Sequence, residues 1–340
     1  MKQKPLTISG ADVQPGERVT LAMPTPEIYT CAPLYMPMHI IHGKKEGPTL
    51  LICGTFYGDE VNGIAIVQRL LQMSSLKNLH GTLIAIPVMN VYGLINRTRL
   101  LPDGHDLTTS FPGSEMGSFS SRLAHVFSEQ VLSHCTHCVN IRTGSPHTYK
   151  IPQIYYDKRD SASQSLASVF EAPVQHPWSE QDEFFFYAAT ERRIPFLIYE
   201  GGEAHRTDEW TIRTGVRGLM KLMRHLKMIP TKSPSKSPSY SGVTIQRSEW
   251  IRASGSGLYH LQGKIGSRVK SDQSLALITD PFGTEKTYHI TASEMGIITA
   301  VNTHPLVYEG QGVIQIGISD EDAEQTLPQE VIDMQPDLVT

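Results

Sequence analysis

Between Leu50 and Gly63 the chain reads LLICGTFYGDEVNG: a short apolar run ends at Gly54, polar positions follow, and apolar positions then return at helical spacing. The pattern predicts a strand, a tight loop and a helix start. In an open α/β sheet, side chains just past the carboxyl end of a strand face the crevice where ligands bind. Tyr57, Asp59 and Glu60 are expected there. The helix is predicted over residues 60–73, with Val61, Ile64, Val67 and Leu71 on one stripe, and a strand over 82–88. Upstream, alternating runs at 18–23 and 36–41 read as strands leading into the core.

Residues 90–117 are rich in Gly, Pro, Asp and Thr and show no convincing periodicity. A loop of that length in a compact domain is usually functional or disordered. Beyond it the pattern predicts a helix at 118–133, strands at 137–142 and 151–156, two helices, a strand at 195–199 and a helix at 208–226. Strands alternating with helices argue for an α/β mixed sheet flanked by helices. Three separate strand ends then deliver polar residues: Tyr57 with Glu60, Arg142, and Glu200.

The segment IPTKSPSKSPSYSG marks a linker by its proline and serine content. After it an internal repeat appears, with Ala253-Ser-Gly-Ser-Gly257-Leu and Ala292-Ser-Glu-Met-Gly296-Ile each opening a β segment that closes in an apolar run. Two such halves predict a small all-β barrel or sandwich. It resembles the barrel-sandwich fold of biotinyl and lipoyl carriers, without the Met-Lys-Met or Asp-Lys-Ala hairpin that would accept a cofactor. The expected organisation is an α/β domain over 1–228, a linker over 229–241, a small β domain over 242–320 and a tail over 321–340.

At 340 residues and 39% hydrophobic composition the chain can bury a substantial core. A formal charge of -4 gives no reason to expect nucleic acid or a membrane surface as partner. There is no apolar run of signal-peptide length at the N-terminus, and no stretch near ~18 consecutive apolar residues, so a cytoplasmic protein is expected. The four cysteines, Cys31, Cys53, Cys135 and Cys138, are too few for a disulfide framework and read as reduced thiols.

With a histidine in place of Tyr57, the first loop would offer a His-x-x-Glu pair to a zinc ion. A phenol titrates near ~10 and is a poor ligand at neutral pH. Other candidate ligands are His134, Cys135, His137 and Cys138, but SHCTHC falls at a helix end and strand start, the opposite edge of the sheet from the cleft. His105, His147 and His205 lie on loops that could in principle rebuild a site around Glu60.

The ordered motifs GTFYGDEVNG, IPVMNVYGLINRTRLLPDGHDLTTSFPGS, VNIRTGSP, IPFLIYEGGE and DPFGTEK with NTHPLVYEGQG resemble the succinylglutamate desuccinylase/aspartoacylase family, relatives of zinc carboxypeptidases, over roughly residues 35–318. The resemblance implies a carboxypeptidase-like mixed sheet, with zinc as the family cofactor. It also implies that Glu60 stands at a zinc-ligand position, Glu200 at the general base position and Arg99 at that of an assisting arginine. Tyr57 and Arg142 stand where the two zinc-binding histidines would be, and Thr108 and Thr109 where an Asn-Arg pair would grip the substrate carboxylate.

A catalytic zinc needs three protein ligands and an open position. Arginine has no lone pair to give a metal. The expectation is therefore that no cofactor is held and that Arg142 replaces the metal electrostatically, its guanidinium between Glu60 and Glu200 with Tyr57 nearby. Two classes of function stay open. One is a protein that has lost metal-dependent hydrolysis and binds a small amino-acid-like or peptide ligand, or a protein partner, through the cleft residues Tyr57, Arg99, Thr108, Thr109 and Arg142. The other is an active metal-dependent deacylase of an N-acyl amino compound with a rebuilt metal site.

Overall fold

The computed structural model describes residues 2–29, 34–178, 184–231, 242–284 and 286–319. It opens with a hairpin of β1 (Leu6–Ile8) and β2 (Ala11–Val13), then β3 (Arg18–Pro24) and β4 (Tyr35–His42). Strand β5 (Lys45–Gly54), helix α1 (Val61–Leu71) and strand β6 (His80–Ile86) form a parallel crossover. There follow α2 (Val91–Asn96), α3 (Phe119–Gln130), β7 (His137–Gly144), β8 (Thr148–Asp157), α4 (Ser161–Phe170), β9 (Val174–Trp178), α5 (Phe184–Glu191), β10 (Phe196–Glu203) and α6 (Glu209–His225). The last strands are β11 (Val243–Thr244), β12 (Arg247–Arg252), β13 (Gly257–Leu261), β14 (Arg268–Val269), β15 (Ser274–Thr279), β16 (Thr287–Thr291), β17 (Gly296–Asn302), β18 (Leu306–Val307) and β19 (Gly312–Ile318).

The large sheet runs β12-β19-β17-β8-β10-β7-β5-β6-β4-β3. Its centre, β6, β5, β7 and β10, is parallel. Helices cover both faces there, which is why Leu50, Leu51, Ile52 and Cys53 are all fully buried and the strand reads as a continuous apolar run. On one face α1, α4 and α6 pack through Ile66, Val67, Leu166, Phe170, Leu219 and Leu222. On the other, α3 and α5 contribute Leu123, Phe127, Phe185 and Ala188. Each buried Leu or Phe of this kind contributes roughly 1.5–3 kcal/mol. The result is the expected α/β mixed sheet flanked by helices, with antiparallel C-terminal strands.

Several boundaries differ from the sequence pattern. The buried stripe of α1 is Asn62, Gly63, Ile66, Val67, Leu70 and Leu71. Val61 and Ile64 are only half-buried, because the close approach of Gly63 to Gly54 turns the helix by its smallest residue toward the sheet. The stretch 90–117 contains α2, started by the Asn90 side chain accepting from the Gly93 N–H, and a short 3-10 turn at Thr108–Ser110. Strand β9 was not expected, being only five residues long and interrupted by Pro177.

The repeat after the linker holds: Ala253 and Ala292 are both buried just before β13 and β17, and the runs close as β15 and β19. Its strands divide between two sheets. β13, β15, β16 and β18 form a four-stranded sheet, whereas β17 joins the large sheet by pairing with β8, Ala300 opposite Lys150 and Val301 opposite Tyr149. Residues 232–241 of the expected linker and all of the expected tail, 321–340, lie outside the described residues, as do residue 320 and Cys31. No helix among the described residues is long and apolar enough to cross a membrane.

Candidate functional site

Strand β5 ends at Gly54, and the chain turns at Thr55, which takes a left-handed φ of 54° and donates its hydroxyl to the Glu60 carbonyl at 2.8 Å. Gly58 lets this loop lie on α2: a Cβ there would meet the Gly93 carbonyl carbon at 1.8 Å. The loop closes on Glu60, the N-cap of α1, where a carboxylate is favoured by the helix dipole. Its two oxygens accept from the Tyr57 and Thr143 N–H groups, both at 3.1 Å. Glu60 is 1% exposed. Burial pushes its carboxyl up to about 7, against the opposing pull of Arg142 and the two backbone donors.

Arg142 lies near the end of β7, in register with Glu200 on β10. Its guanidinium turns into the cleft, with Nε 3.7 Å from Glu60 Oε1 and a side chain 15% exposed. Burial works against its charge, but Tyr57, Glu60 and Glu200 in that order outweigh burial and hold it protonated. The guanidinium therefore faces Glu60, and its residue is in register with Glu200. It makes an ion-pair contact with Glu60, whereas Glu200 has a different principal partner.

That partner is Lys150, whose Nζ lies 2.9 Å from Glu200 Oε2. Gln153 Nε2 donates to the same oxygen at 3.2 Å, and the Tyr155 hydroxyl also bonds the carboxylate. Burial pushes Glu200 up, but Lys150 and then Arg142 overcome it and leave the group below the ordinary range. Glu200 is therefore an ionised carboxylate. Arg206, on the following loop, stands 4.0 Å from Glu203.

Tyr57 is buried and its hydroxyl donates to Asp106 Oδ2 at 3.0 Å, with Thr108 Oγ1 at 3.2 Å. Burial pushes the phenol above its usual range, so it stays protonated. The Arg99 guanidinium covers the Tyr57 ring at 3.5 Å from the centroid, and Arg142 lies 4.9 Å from it. Arg99 is 44% exposed, with Asp106 at 3.9 Å. Thr108 is buried and bonded to Asp106 Oδ1 by both N–H and hydroxyl at 2.8 Å. Thr109, expected beside it in the cleft, is instead exposed, its hydroxyl capping the Asp106 carbonyl. The 3-10 turn sends consecutive side chains in different directions.

A cavity of about 420 Å³ joins these groups, lined by Tyr57, Arg99, Arg142, Lys150 and Glu200 on its charged side and by Tyr155, Trp178 and Ile198 on its apolar side. Lys150, Gln153, Tyr155 and Trp178 were not anticipated from the sequence. Alternation in β8 would put Gln153 and Tyr155 on one face and Lys150 on the other. A register irregularity between Glu200 and Gly202, which faces Lys150, adds a residue to β8 and brings Lys150 round to the carboxylate. A larger cavity, about 870 Å³, lies at the opposite ends of β5 and β6 among Arg18, Lys44, Lys45 and Lys77 and has no such convergence of buried acids and bases.

The residues that the resemblance sets at the zinc positions, Tyr57 and Arg142, do not fit a metal: one is a protonated phenol and the other a guanidinium facing Glu60. Among the described residues no group of three or more His, Cys, Asp and Glu side chains is placed to hold an ion. His105 faces Asp103, His147 meets His304 edge-on, and the His205 backbone N–H donates to the Asp59 carbonyl. Cys135 and Cys138 are buried beside Cys53, burial pushing both thiols up, while His134 is exposed. All three thiols belong to the hydrophobic core that includes Phe127 and Phe185.

Residues 46–226 match the model of the succinylglutamate desuccinylase/aspartoacylase catalytic domain. The chain is 27% identical over 248 residues to the N-α-acetyl-L-2,4-diaminobutyric acid deacetylase of Halomonas elongata, spanning 70% of this chain and 72% of the relative. Its fold is similar to that of the product-bound ectoine utilization protein EutE (DoeB) from Ruegeria pomeroyi, with a TM-score of 0.78 at 19% identity, covering 89% of this chain and 95% of the other. A succinylglutamate desuccinylase/aspartoacylase from Rhodobacter sphaeroides gives a TM-score of 0.76 at 21% identity, with 88% and 96% covered.

Proposed function

This chain belongs to the succinylglutamate desuccinylase/aspartoacylase family, and we propose that its cleft binds an N-acylated amino compound without the metal on which the family's hydrolysis depends. One observation carries the reading: the Arg142 guanidinium stands 3.7 Å from Glu60, the last family-type metal ligand, in a position where it would repel a cation. The cavity volume falls in the ~300–1,000 Å³ range of small-molecule sites, which favours a small ligand over a protein partner. In this cleft Arg99 is the half-exposed cation available to a ligand carboxylate. Glu200, kept ionised by Lys150, offers an acceptor to an amide N–H or an ammonium. Tyr57 fixes the loop by bonding Asp106 while Arg99 lies over its ring.

A second reading, amide hydrolysis, is favoured by the curated relative's being a deacetylase and by the ionised state of Glu200, a protonation state that can accept a proton. The two readings separate in one assay. The full chain is given N-acetyl-2,4-diaminobutyrate and other N-acetyl amino acids, with and without added zinc, and both binding and release of free amine are followed. Binding with no amine released supports the first reading. Release that disappears in Glu200→Gln supports the second and removes the first.

A further inference from the structure

The strand register sorts the cleft into two rows. Glu200 lies between Arg142 and Gln153 across three strands, a charged and polar row. Two residues earlier on β10, Ile198 pairs with Tyr155, and Tyr155 pairs in turn with His176 on β9. Residues two apart on a strand project to the same face, so this second row runs beside the first at about 7 Å along the strands. Ile198 and Tyr155 line the cavity, joined by Trp178 at the end of β9.

The wall is rigid. The Tyr155 ring stacks on His176 with centroids 4.6 Å apart and planes 14° apart, and its hydroxyl accepts from Gln153 at 2.9 Å and bonds Glu200. His176 is locked in turn, its Nε2 donating to the Gln153 carbonyl oxygen at 2.9 Å. A fixed aromatic and aliphatic surface next to guanidinium groups suits a ligand with a carboxylate at one end and a planar apolar group at the other. A bare acetyl or succinyl group would leave that surface uncovered.

Building on the proposed function, we propose that the cleft prefers N-acyl amino acids bearing an aromatic ring, with the carboxylate toward Arg99 and the ring on Tyr155, Trp178 and Ile198. The ring can belong to the acyl or to the amino half, since both present the same chemistry. The test is calorimetric titration of the full chain with four probes: N-acetylglycine, N-acetylaspartate, N-benzoylglycine and N-acetylphenylalanine. The expected result is that at least one ringed probe binds at least tenfold tighter than both ringless ones, and the tighter ringed probe identifies which half carries the ring. In Trp178→Ala the ratio should fall toward one, and in Trp178→Leu, which keeps an apolar side chain, to an intermediate value. Equal affinities for ringed and ringless probes overturn this preference and leave the proposed function standing. Failure of all four to bind overturns both.

Discussion

At the scale of single residues, the cleft gives each buried carboxylate a cation of its own, Arg142 for Glu60 and Lys150 for Glu200. Removing one member of a buried pair strands the other, typically at a cost of about 3–5 kcal/mol. Arg142→Met should therefore lower stability by about 3 kcal/mol at pH 8. The folded Glu60 already titrates near about 7, above its unfolded value, so its contribution is fully present below the unfolded pKa and is lost as pH rises through the folded one. Without Arg142 the folded value rises further and Glu60 stays protonated at pH 8, so the loss should be about 1–1.5 kcal/mol larger at pH 8 than at pH 5, read from denaturant unfolding at both. His176 works in the opposite sense. Burial, then Lys150, hold it down at about 3, so the stability it contributes is present above its unfolded value near ~6.5 and is lost as pH falls. His176→Gln, which keeps a donor for Gln153, should remove an acid-side loss of no more than about 2 kcal/mol between pH 7 and pH 5.

At the scale of elements, the site depends on loops pressed against each other without side chains between them. Gly58 lies directly on Gly93 of α2, so Gly58→Ala must push the Tyr57–Glu60 loop and α2 apart. A loss of at least about 2 kcal/mol in thermal or denaturant unfolding is expected, together with loss of ligand binding. These elements were legible to different degrees. The strand ends carrying Glu60, Arg142 and Glu200 could be read from apolar runs that stop at a polar residue, because sheet geometry fixes where such residues face. Tyr57 and Arg142 were readable as replacements only against a family pattern. Lys150 was hidden because a strand irregularity reversed its face, and Trp178 because β9 is short and carries a proline. Thr109 was misplaced because a 3-10 turn, unlike a strand, gives neighbouring residues no shared direction.

At the scale of the whole molecule, the C-terminal strands are part of the site's support. β17 pairs with β8 at Thr148, Tyr149 and Lys150, next to the lysine that holds Glu200, and Thr303 donates to Glu203 Oε1 at 3.0 Å. A chain cut after residue 231 would leave the Thr148–Lys150 end of β8 unpaired on that side, with Tyr149 and Ile151 stripped of most of their apolar neighbours. An unpaired, apolar strand edge is a template for association. The truncated chain should therefore elute from a sizing column as aggregate rather than as a discrete species, whereas an independent α/β unit would remain discrete. The internal repeat foresaw the C-terminal strands themselves. It could not foresee that half of them enter the large sheet, since strand pairing between distant segments leaves no local signature.

The central claim is that Arg142 occupies the electrostatic place of a metal. The most direct measurement is the zinc content, by mass spectrometry, of protein expressed in zinc-supplemented medium and purified without chelator or nickel affinity, compared with the Tyr57→His, Arg142→His double variant. The account predicts far less than one zinc per chain in the parent and near one in the folded double variant, which regains two imidazoles beside Glu60. Near-stoichiometric zinc in the parent, lost in Glu60→Ala, would contradict it.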